Sequence, residues 1–157
     1  MNKYPEAGDM MPDIALEAAG GGQVKVSDFA GRKLVLFFYP KDDTPGCTTE
    51  NKDFSELAEA FAEAGTALLG ISKDPPAKHA KFTAKHGLVV PLASDSESGG
   101  LSDALSIWAE KQNYGRSYMG MVRTTYLVDR DGRIARVWNK VKVKGHAAQV
   151  LEAARAL

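Results

Sequence analysis

Cysteine is almost absent from this chain, which has one, Cys47, among 157 residues. One thiol cannot form an internal disulfide, which is typical of a reducing compartment or of a fold without cross-links. Net charge is also absent, because 20 basic residues balance 20 acidic ones. Neither nucleic acid nor an anionic membrane is therefore an expected partner. The longest apolar run, residues 34–39, is far too short to span a bilayer.

A secretory signal is absent as well. Residues 1–11 show no basic start followed by an apolar stretch. Together with the lone cysteine, this predicts a cytoplasmic protein. The composition, 44% hydrophobic and 25% charged, is ordinary for a soluble globular protein, and the length is that of one domain. We expect a single domain over residues 1–157.

Buried strands and amphipathic helices alternate along the chain. Residues 33–39 and 66–72 are apolar runs typical of strands in a parallel sheet. The segment between them has apolar residues at helical spacing and ends near Gly65, so the three form a β-α-β unit. Further helices are predicted from Pro75 to near Gly87, over 101–108 and from Gly145 onward, and further strands over 89–93, 122–129 and 133–138.

The remaining segments complete a recognisable plan. Glycines 20–22, between residues 14–16 and 23–26, predict an N-terminal hairpin. Residues 94–100 and 109–120 are predicted loops. A β-α-β half followed by a β-β-α half is the plan of the thioredoxin-like fold, so we expect three layers, α/β/α, around a central mixed sheet.

Cys47 lies where a helix is predicted to begin. Thr44-Pro45 is a helix-start signal, with threonine as the N-cap and proline in the first helical position. Cys47 then falls in the first turn, where backbone N–H groups lack partners and the helix dipole favours an anion. A free cysteine is more often a small buried apolar residue. This location instead indicates a thiolate.

The helix start alone cannot ionise a thiol. An ordinary thiol has a pKa of about 8.5, and ~90% ionisation at pH 7 requires about 3.4 kcal/mol. A helix N-terminus contributes ~0.3–1 kcal/mol and at most about 2 kcal/mol. Asp42, Asp43 and Glu50 oppose ionisation if they are near in space. A cation from elsewhere in the chain must supply the difference.

Arg123 is the best candidate for that cation, because it stands at the head of an otherwise buried strand. A solvated strand end is the alternative explanation for it, since arginine is mostly exposed in proteins. Lys41, Lys52 and Arg116 are weaker candidates, because they fall on predicted loops or an exposed helix face.

Residues 40–47, Pro-Lys-Asp-Asp-Thr-Pro-Gly-Cys, match the peroxiredoxin active-site pattern P-x-x-x-T-x-x-C in full. The chain most resembles the peroxiredoxin Q group, also called bacterioferritin comigratory protein. The resemblance extends to residues 108–120, to the Arg123 strand and to the Val-Lys-Gly-His start of the last helix, and so covers essentially the whole chain.

The resemblance implies a thiol-dependent peroxidase that reduces hydrogen peroxide and organic hydroperoxides without a cofactor. Cys47 would be the nucleophile that becomes a sulfenic acid. Thr44 would hold the thiolate and the peroxide through its hydroxyl, and Arg123 would stabilise the thiolate and the departing oxygen. Pro40 would shield the site from water, and Glu50 would orient Arg123.

The chain departs from many members of the group at one position. They carry a second, resolving cysteine five residues after the first, and here that position is Lys52. The reductant must then be an external thiol: glutathione, another small thiol, glutaredoxin, thioredoxin, or Cys47 of a second molecule. Because the group includes monomers, a monomer is expected, with a weak dimer as the alternative.

Other functions fit parts of the pattern. A dithiol oxidoreductase needs a C-x-x-C motif, which is absent. A non-enzymatic redox sensor or binding protein, signalling through oxidised Cys47, stays open until turnover is measured. His79, His86 and His146 show no ligand spacing, so no metal is expected, and none is singled out as the partner of a Cys/His protease.

Overall fold

The structure, a computed structural model, describes residues 5–96 and 100–157. The strands in those residues are β1 Leu16–Ala18, β2 Gln23–Val24, β3 Lys33–Phe38, β4 Thr66–Ser72, β5 Leu92–Ser94, β6 Trp108–Asn113, β7 Arg116–Met121, β8 Thr124–Val128 and β9 Ile134–Trp138. The helices are α1 Pro45–Glu56, α2 Ala58–Glu63, α3 Pro76–His86, α4 Leu101–Ala104 and α5 His146–Ala156, with a 3-10 helix at Val26–Phe29.

Seven of the described strands form one mixed sheet, in the order β2-β1-β5-β4-β3-β8-β9. The strands β3, β4 and β5 run parallel, and β8 pairs antiparallel with β3 and with β9. The predicted β-α-β unit is present, with its helical segment divided into α1 and α2 at Leu57. The thioredoxin-like fold with its N-terminal hairpin, β1 and β2, is confirmed.

Strand β3 contributes to two hydrophobic cores, one on each face of the sheet. Leu34, Leu36 and Phe38 pack in one core, and Val35 and Phe37 pack in the other. Successive side chains of a strand point to opposite faces, so a strand buried on both faces is apolar at every position. The helices α1, α2, α3 and α5 contribute to the second core, and the short α4 contributes to the first.

Three sequence-based boundaries are wrong. Residues 109–120 are not a loop, because β6 and β7 pair antiparallel as a separate two-stranded hairpin. The first four residues of β7 are all exposed, so the alternation that identifies a half-buried strand is missing. The strand predicted over 89–93 is β5, Leu92–Ser94, and Val89 is 65% exposed.

The helix predicted over 101–108 ends at Ala104, and Trp108 begins β6. The predicted loop over 94–100 includes residues 97–99, which lie outside the described residues. Within the described part of the chain, no helix combines the length and apolar character needed to cross a membrane.

Gly70 marks a close approach between β4 and its neighbours. A Cβ atom there would lie 2.8 Å from Leu92 Cδ2 and 2.8 Å from Phe37 Cζ. Because both neighbours are buried, we expect Gly70→Ala to lower the free energy of unfolding by ~1–3 kcal/mol through overpacking. Urea-induced unfolding measures the change. The matched control is Gly20→Ala, where a Cβ meets open space, and equal losses in both variants would contradict the expectation.

Candidate active site

The backbone around Cys47 is a helix start. Thr44 is the N-cap of α1, with φ −93° and ψ 153°, and Pro45 is the first helical residue. The Thr48 N–H donates to the Thr44 carbonyl at 2.8 Å, so the N–H groups of Gly46 and Cys47 precede the first intrahelical bond. The free Cys47 is 1% exposed. Its sulfur therefore lies in a buried first turn, beside unpaired backbone donors.

Sheet pairing brings Arg123 to the same place. Strand β8 pairs with β3 so that Thr124 lies opposite Phe38, at the end where the chain leaves the sheet toward α1. Arg123 Nη2 donates to Cys47 Sγ at 3.4 Å, and Arg123 Nη1 donates to Glu50 Oε1 at 2.6 Å. The structure thus brings together Cys47, Arg123 and Glu50.

Burial and ion pairing shift the pKa values of Glu50 and Arg123 in opposite directions. Burial raises the pKa of Glu50 to about 7, although the adjacent Arg123 guanidinium lowers it in part. Glu50 Oε2 has no hydrogen-bond partner within the described residues. Burial alone would lower the pKa of Arg123, but the charges of Glu50 and Cys47 outweigh burial and raise it. The guanidinium keeps its charge, while a pKa of about 7 leaves the Glu50 carboxyl only partly ionised at neutral pH.

Thr44 and Pro40, the other two predicted catalytic residues, are not part of the hydrogen-bonded set of Cys47, Arg123 and Glu50. The Thr44 hydroxyl donates to the Lys41 carbonyl at 2.8 Å. A hydroxyl has one proton, so it cannot donate to the sulfur at the same time. The expected contact between Thr44 and the thiolate is not formed in this arrangement. Pro40 is half-buried and lies two residues after the end of β3.

The loop before α1 is held by a buried polar cluster. The Tyr39 hydroxyl donates to Asp42 Oδ1 at 2.6 Å, and His79 Nδ1 lies 2.6 Å from Asp42 Oδ2. His79 Nε2 lies 3.0 Å from the Ala93 carbonyl, which only accepts, so this nitrogen carries a proton. Burial, followed by the charge of Asp42, raises the pKa of Tyr39, consistent with a neutral donor. The Asp42 carboxylate therefore has Tyr39 and His79 as its hydrogen-bond partners.

Asp43 is paired with two basic side chains of α3. Its carboxylate lies 2.6 Å from Lys85 Nζ and 2.8 Å from His86 Nε2, and hydrogen bonds from His86 and Lys85 lower its pKa. No local sequence pattern predicts these pairs, because α3 lies far along the chain. Neither aspartate presents an unpaired charge to the thiol.

His146 does not supply a cation to the site. It is buried between Phe54 and Trp138, and its Nε2 lies 2.8 Å from Thr125 Oγ1. Burial, with a smaller effect of Arg123, lowers its pKa to about 4. In residues 5–96 and 100–157, the His, Cys, Asp and Glu side chains form no cluster suited to a metal ion.

A thioredoxin-like sheet that carries a buried thiol in a first helical turn, with a guanidinium on the sulfur, defines a thiol-dependent oxidoreductase. The same sequence has no second thiol. A dithiol cycle within one chain is thereby excluded.

Known proteins identify the group. A profile of the AhpC/TSA family matches residues 7–137. Peroxiredoxin Bcp of Bacillus subtilis (strain 168) is 46% identical over 94% of this chain and 93% of its own length. Peroxiredoxin Bcp of Xanthomonas campestris pv. campestris is 44% identical over 92% of this chain and 89% of its own.

Solved structures agree. A Xanthomonas campestris peroxiredoxin Q has a TM-score of 0.88 at 42% identity, over 96% of this chain and 97% of that one. A cysteine-to-serine variant of Xylella fastidiosa PrxQ has a TM-score of 0.91 at 36% identity, over 99% and 98%. The chain belongs to the AhpC/TSA family, in its peroxiredoxin Q group, and is a thiol-dependent hydroperoxide reductase. The resemblance inferred from residues 40–47 is confirmed.

One residue near the site was missed. Burial lowers the pKa of Lys111 on β6, the charge of Arg123 lowers it further, and the charge of Cys47 raises it in part. The prediction of a loop over residues 109–120 gives Lys111 no orientation. Alternate side chains share one face only when the segment is a strand with a defined register. The turn between the two strands consists of Tyr114 and Gly115, which both have positive φ. A glycine at this point was the sequence feature that could have indicated the hairpin.

Glu50→Gln is expected to remove a pH-dependent loss of stability. Burial raises the pKa of Glu50 from 4.5 to about 7, so the folded state favours the neutral carboxyl. Its contribution is present at low pH and is lost as pH rises through about 7. Relative to the variant, the wild type should therefore lose up to about 3 kcal/mol of unfolding free energy between about pH 4 and pH 8.

Urea unfolding across that pH range makes the measurement. Glu56→Gln is the matched control, because Glu56 is an exposed glutamate on the same helix. The control is expected to follow the wild-type pH dependence. A wild type that gains stability over Glu50→Gln as pH rises would contradict the role of burial.

Proposed function

We propose that the Cys47 thiolate attacks one oxygen of a hydroperoxide. The O–O bond breaks, and the sulfur keeps one oxygen as a sulfenic acid. The other oxygen leaves with the electron pair and takes up a proton, as water from hydrogen peroxide or as an alcohol from an organic hydroperoxide. The observation that carries the proposal is the 3.4 Å contact between Arg123 Nη2 and Cys47 Sγ, made by the one cysteine of the chain.

Arg123 has two roles in this step. It stabilises the thiolate before attack and the negative charge that develops on the departing oxygen. Glu50 fixes the orientation of the guanidinium through its 2.6 Å contact. Thr44 turns its hydroxyl from the Lys41 carbonyl to the bound peroxide, and Pro40 limits the access of water.

The proposed substrates are hydrogen peroxide and organic hydroperoxides. Support for the second class comes from a relative, a Xanthomonas campestris bacterioferritin comigratory protein described by its alkyl peroxide reduction activity. That structure is 41% identical to this chain with a TM-score of 0.88. A substrate with an alkyl group suits a site whose sulfur packs in a hydrophobic core.

An external thiol completes the proposed cycle, because Lys52 is an exposed lysine and the chain has no second cysteine. The thiol attacks the sulfenic sulfur, water leaves, and a mixed disulfide forms. A second thiol then restores Cys47. Glutathione, glutaredoxin and thioredoxin are the candidate reductants. We propose that the protein acts as a monomer in the cytoplasm, where such thiols are kept reduced.

One equivalent of hydrogen peroxide should convert Cys47 into a sulfenic acid that dimedone traps. Mass spectrometry detects the adduct, and Cys47→Ser is the blank. Finding neither an adduct nor a mixed or intermolecular disulfide contradicts the cycle. Sustained peroxide-dependent consumption of an added thiol supports the enzyme, whereas reaction that stops after one turnover with every thiol favours a redox sensor.

Arg123→Met should slow the reaction of Cys47 with hydrogen peroxide on the order of 10²-fold, the usual effect of removing one donor from a developing oxyanion. Stopped-flow measurement of the first oxidation gives the rate. Arg155→Met removes an exposed arginine of α5 and serves as the control. Equal rates in the two variants would rule out the proposed role of Arg123.

A further inference from the structure

Asp42 lies in the loop that leads to Cys47, and its side chain is held by α3. Its Oδ2 is 2.6 Å from Nδ1 of His79, and both side chains are fully buried. The other ring nitrogen of His79, Nε2, donates to the Ala93 carbonyl of β5 at 3.0 Å. His79 therefore connects the loop before the catalytic cysteine to the central sheet.

The backbone of Asp42 is held as well. Its N–H donates to Asp74 Oδ2 at 2.7 Å. Asp74 is itself fixed by the Ser72 hydroxyl at 2.7 Å and by Lys78 Nζ at 3.0 Å. The same peptide group, 41–42, carries the carbonyl of Lys41. Because a peptide group is planar, a fixed N–H direction also fixes the direction of that carbonyl.

The Lys41 carbonyl is the group that accepts the hydrogen bond of the Thr44 hydroxyl, at 2.8 Å. Its fixed direction sets where the Thr44 oxygen lies before a peroxide arrives. Rotation about the Cβ–Oγ bond can then redirect the proton toward the peroxide while the oxygen stays in place. A donor that is already in position needs no reorganisation during the reaction.

The backbone between Asp42 and Thr44 depends on such support. Asp43 has φ 62°, in the left-handed region that a residue other than glycine seldom adopts. A conformation of this kind persists only where the surrounding contacts over-determine it. Release of Asp42 from His79 or from Asp74 is therefore expected to relax the turn and to displace the Thr44 hydroxyl.

We propose that His79 and Asp74 are positioning residues for the peroxide reaction, because they hold peptide group 41–42 and, through it, the Thr44 hydroxyl. This inference deepens the proposed function and rests on it. Both residues act through Asp42 and not on the reacting atoms. Loss of either contact leaves the hydroxyl without a defined position, and oxidation of the thiol slows.

The test uses two variants that divide the contacts of His79. An asparagine amide lies near the position of histidine Nδ1, so His79→Asn keeps a donor to Asp42. A glutamine amide lies near the position of Nε2, so His79→Gln keeps only the donor to Ala93. Stopped flow measures the second-order rate constant for oxidation of Cys47 by hydrogen peroxide. We expect His79→Gln to lower it on the order of 10-fold and His79→Asn to lower it much less.

A double-mutant cycle with Thr44 separates positioning from a general structural effect. In a Thr44→Val background the hydroxyl is gone, so His79→Gln should cause no further loss of rate. A further loss as large as that in the wild-type background overturns the route through Thr44. Equal losses in His79→Asn and His79→Gln overturn the route through Asp42.

Leu105→Ala is the stability control, because Leu105 is buried in the core on the other face of the sheet from Cys47. It should destabilise the fold and leave the rate of oxidation unchanged. A loss of rate in Leu105→Ala equal to that in His79→Gln would show that lower stability alone explains the effect, and would overturn the proposal.

Asp74→Ala carries the test if His79→Gln does not fold, because Asp74 is only half-buried. Its removal leaves the Asp42 N–H without its acceptor, so the rate of oxidation should fall, with the same dependence on Thr44. A wild-type rate in Asp74→Ala overturns the holding of peptide group 41–42. Iodoacetamide tests the thiol itself: a wild-type protein that is alkylated at Cys47 but does not react with peroxide contradicts the proposed function, and not the role of the positioning residues.

Discussion

The guanidinium of Arg123 joins two groups of one helix turn that have opposing requirements. In the proposed mechanism Cys47 reacts as an anion, whereas burial favours the neutral carboxyl of Glu50 and raises its pKa to about 7. Arg123 contacts both, at 3.4 Å and 2.6 Å. Because a pKa of about 7 leaves Glu50 only partly ionised at neutral pH, part of the arginine charge is available to the sulfur. Removing one member of such a buried set leaves the others uncompensated, so the three side chains act as a unit.

The helix start is held in place from outside α1. Asp42 and Asp43 precede it, and each is bound by residues of α3: the first by His79, the second by Lys85 and His86. These contacts fix the loop that leads to Cys47 and direct two negative charges into pairs of their own. Two aspartates next to a thiolate look unfavourable in the motif, but in the fold each carboxylate has contacts of its own away from the sulfur.

Sequence reasoning succeeded where one local pattern was sufficient. The apolar runs at 33–39 and 66–72 predicted β3 and β4, and Thr44-Pro45 predicted the start of α1. Because a helix start supplies too little free energy to ionise a thiol, the sequence also predicts a distant cation, and Arg123 is the best candidate. The exposed hairpin β6-β7, with Lys111, lacked an apolar alternation and was missed. The hydroxyl direction of Thr44 and the partners of Asp42 depend on long-range packing, which no local pattern reports.

Because Cys47 is buried, its oxidation by a peroxide and its proposed reduction by a thiol need different degrees of access to the sulfur. Cys47 is 1% exposed, so a small peroxide has far easier access to the sulfur than a thiol on a larger molecule. In the proposed cycle, a thiol on a larger molecule therefore reaches the sulfenic sulfur only if the first turn of α1 moves outward. The proposed oxidation would favour that movement, because a neutral sulfenic acid lacks the attraction to Arg123 that holds a thiolate inward.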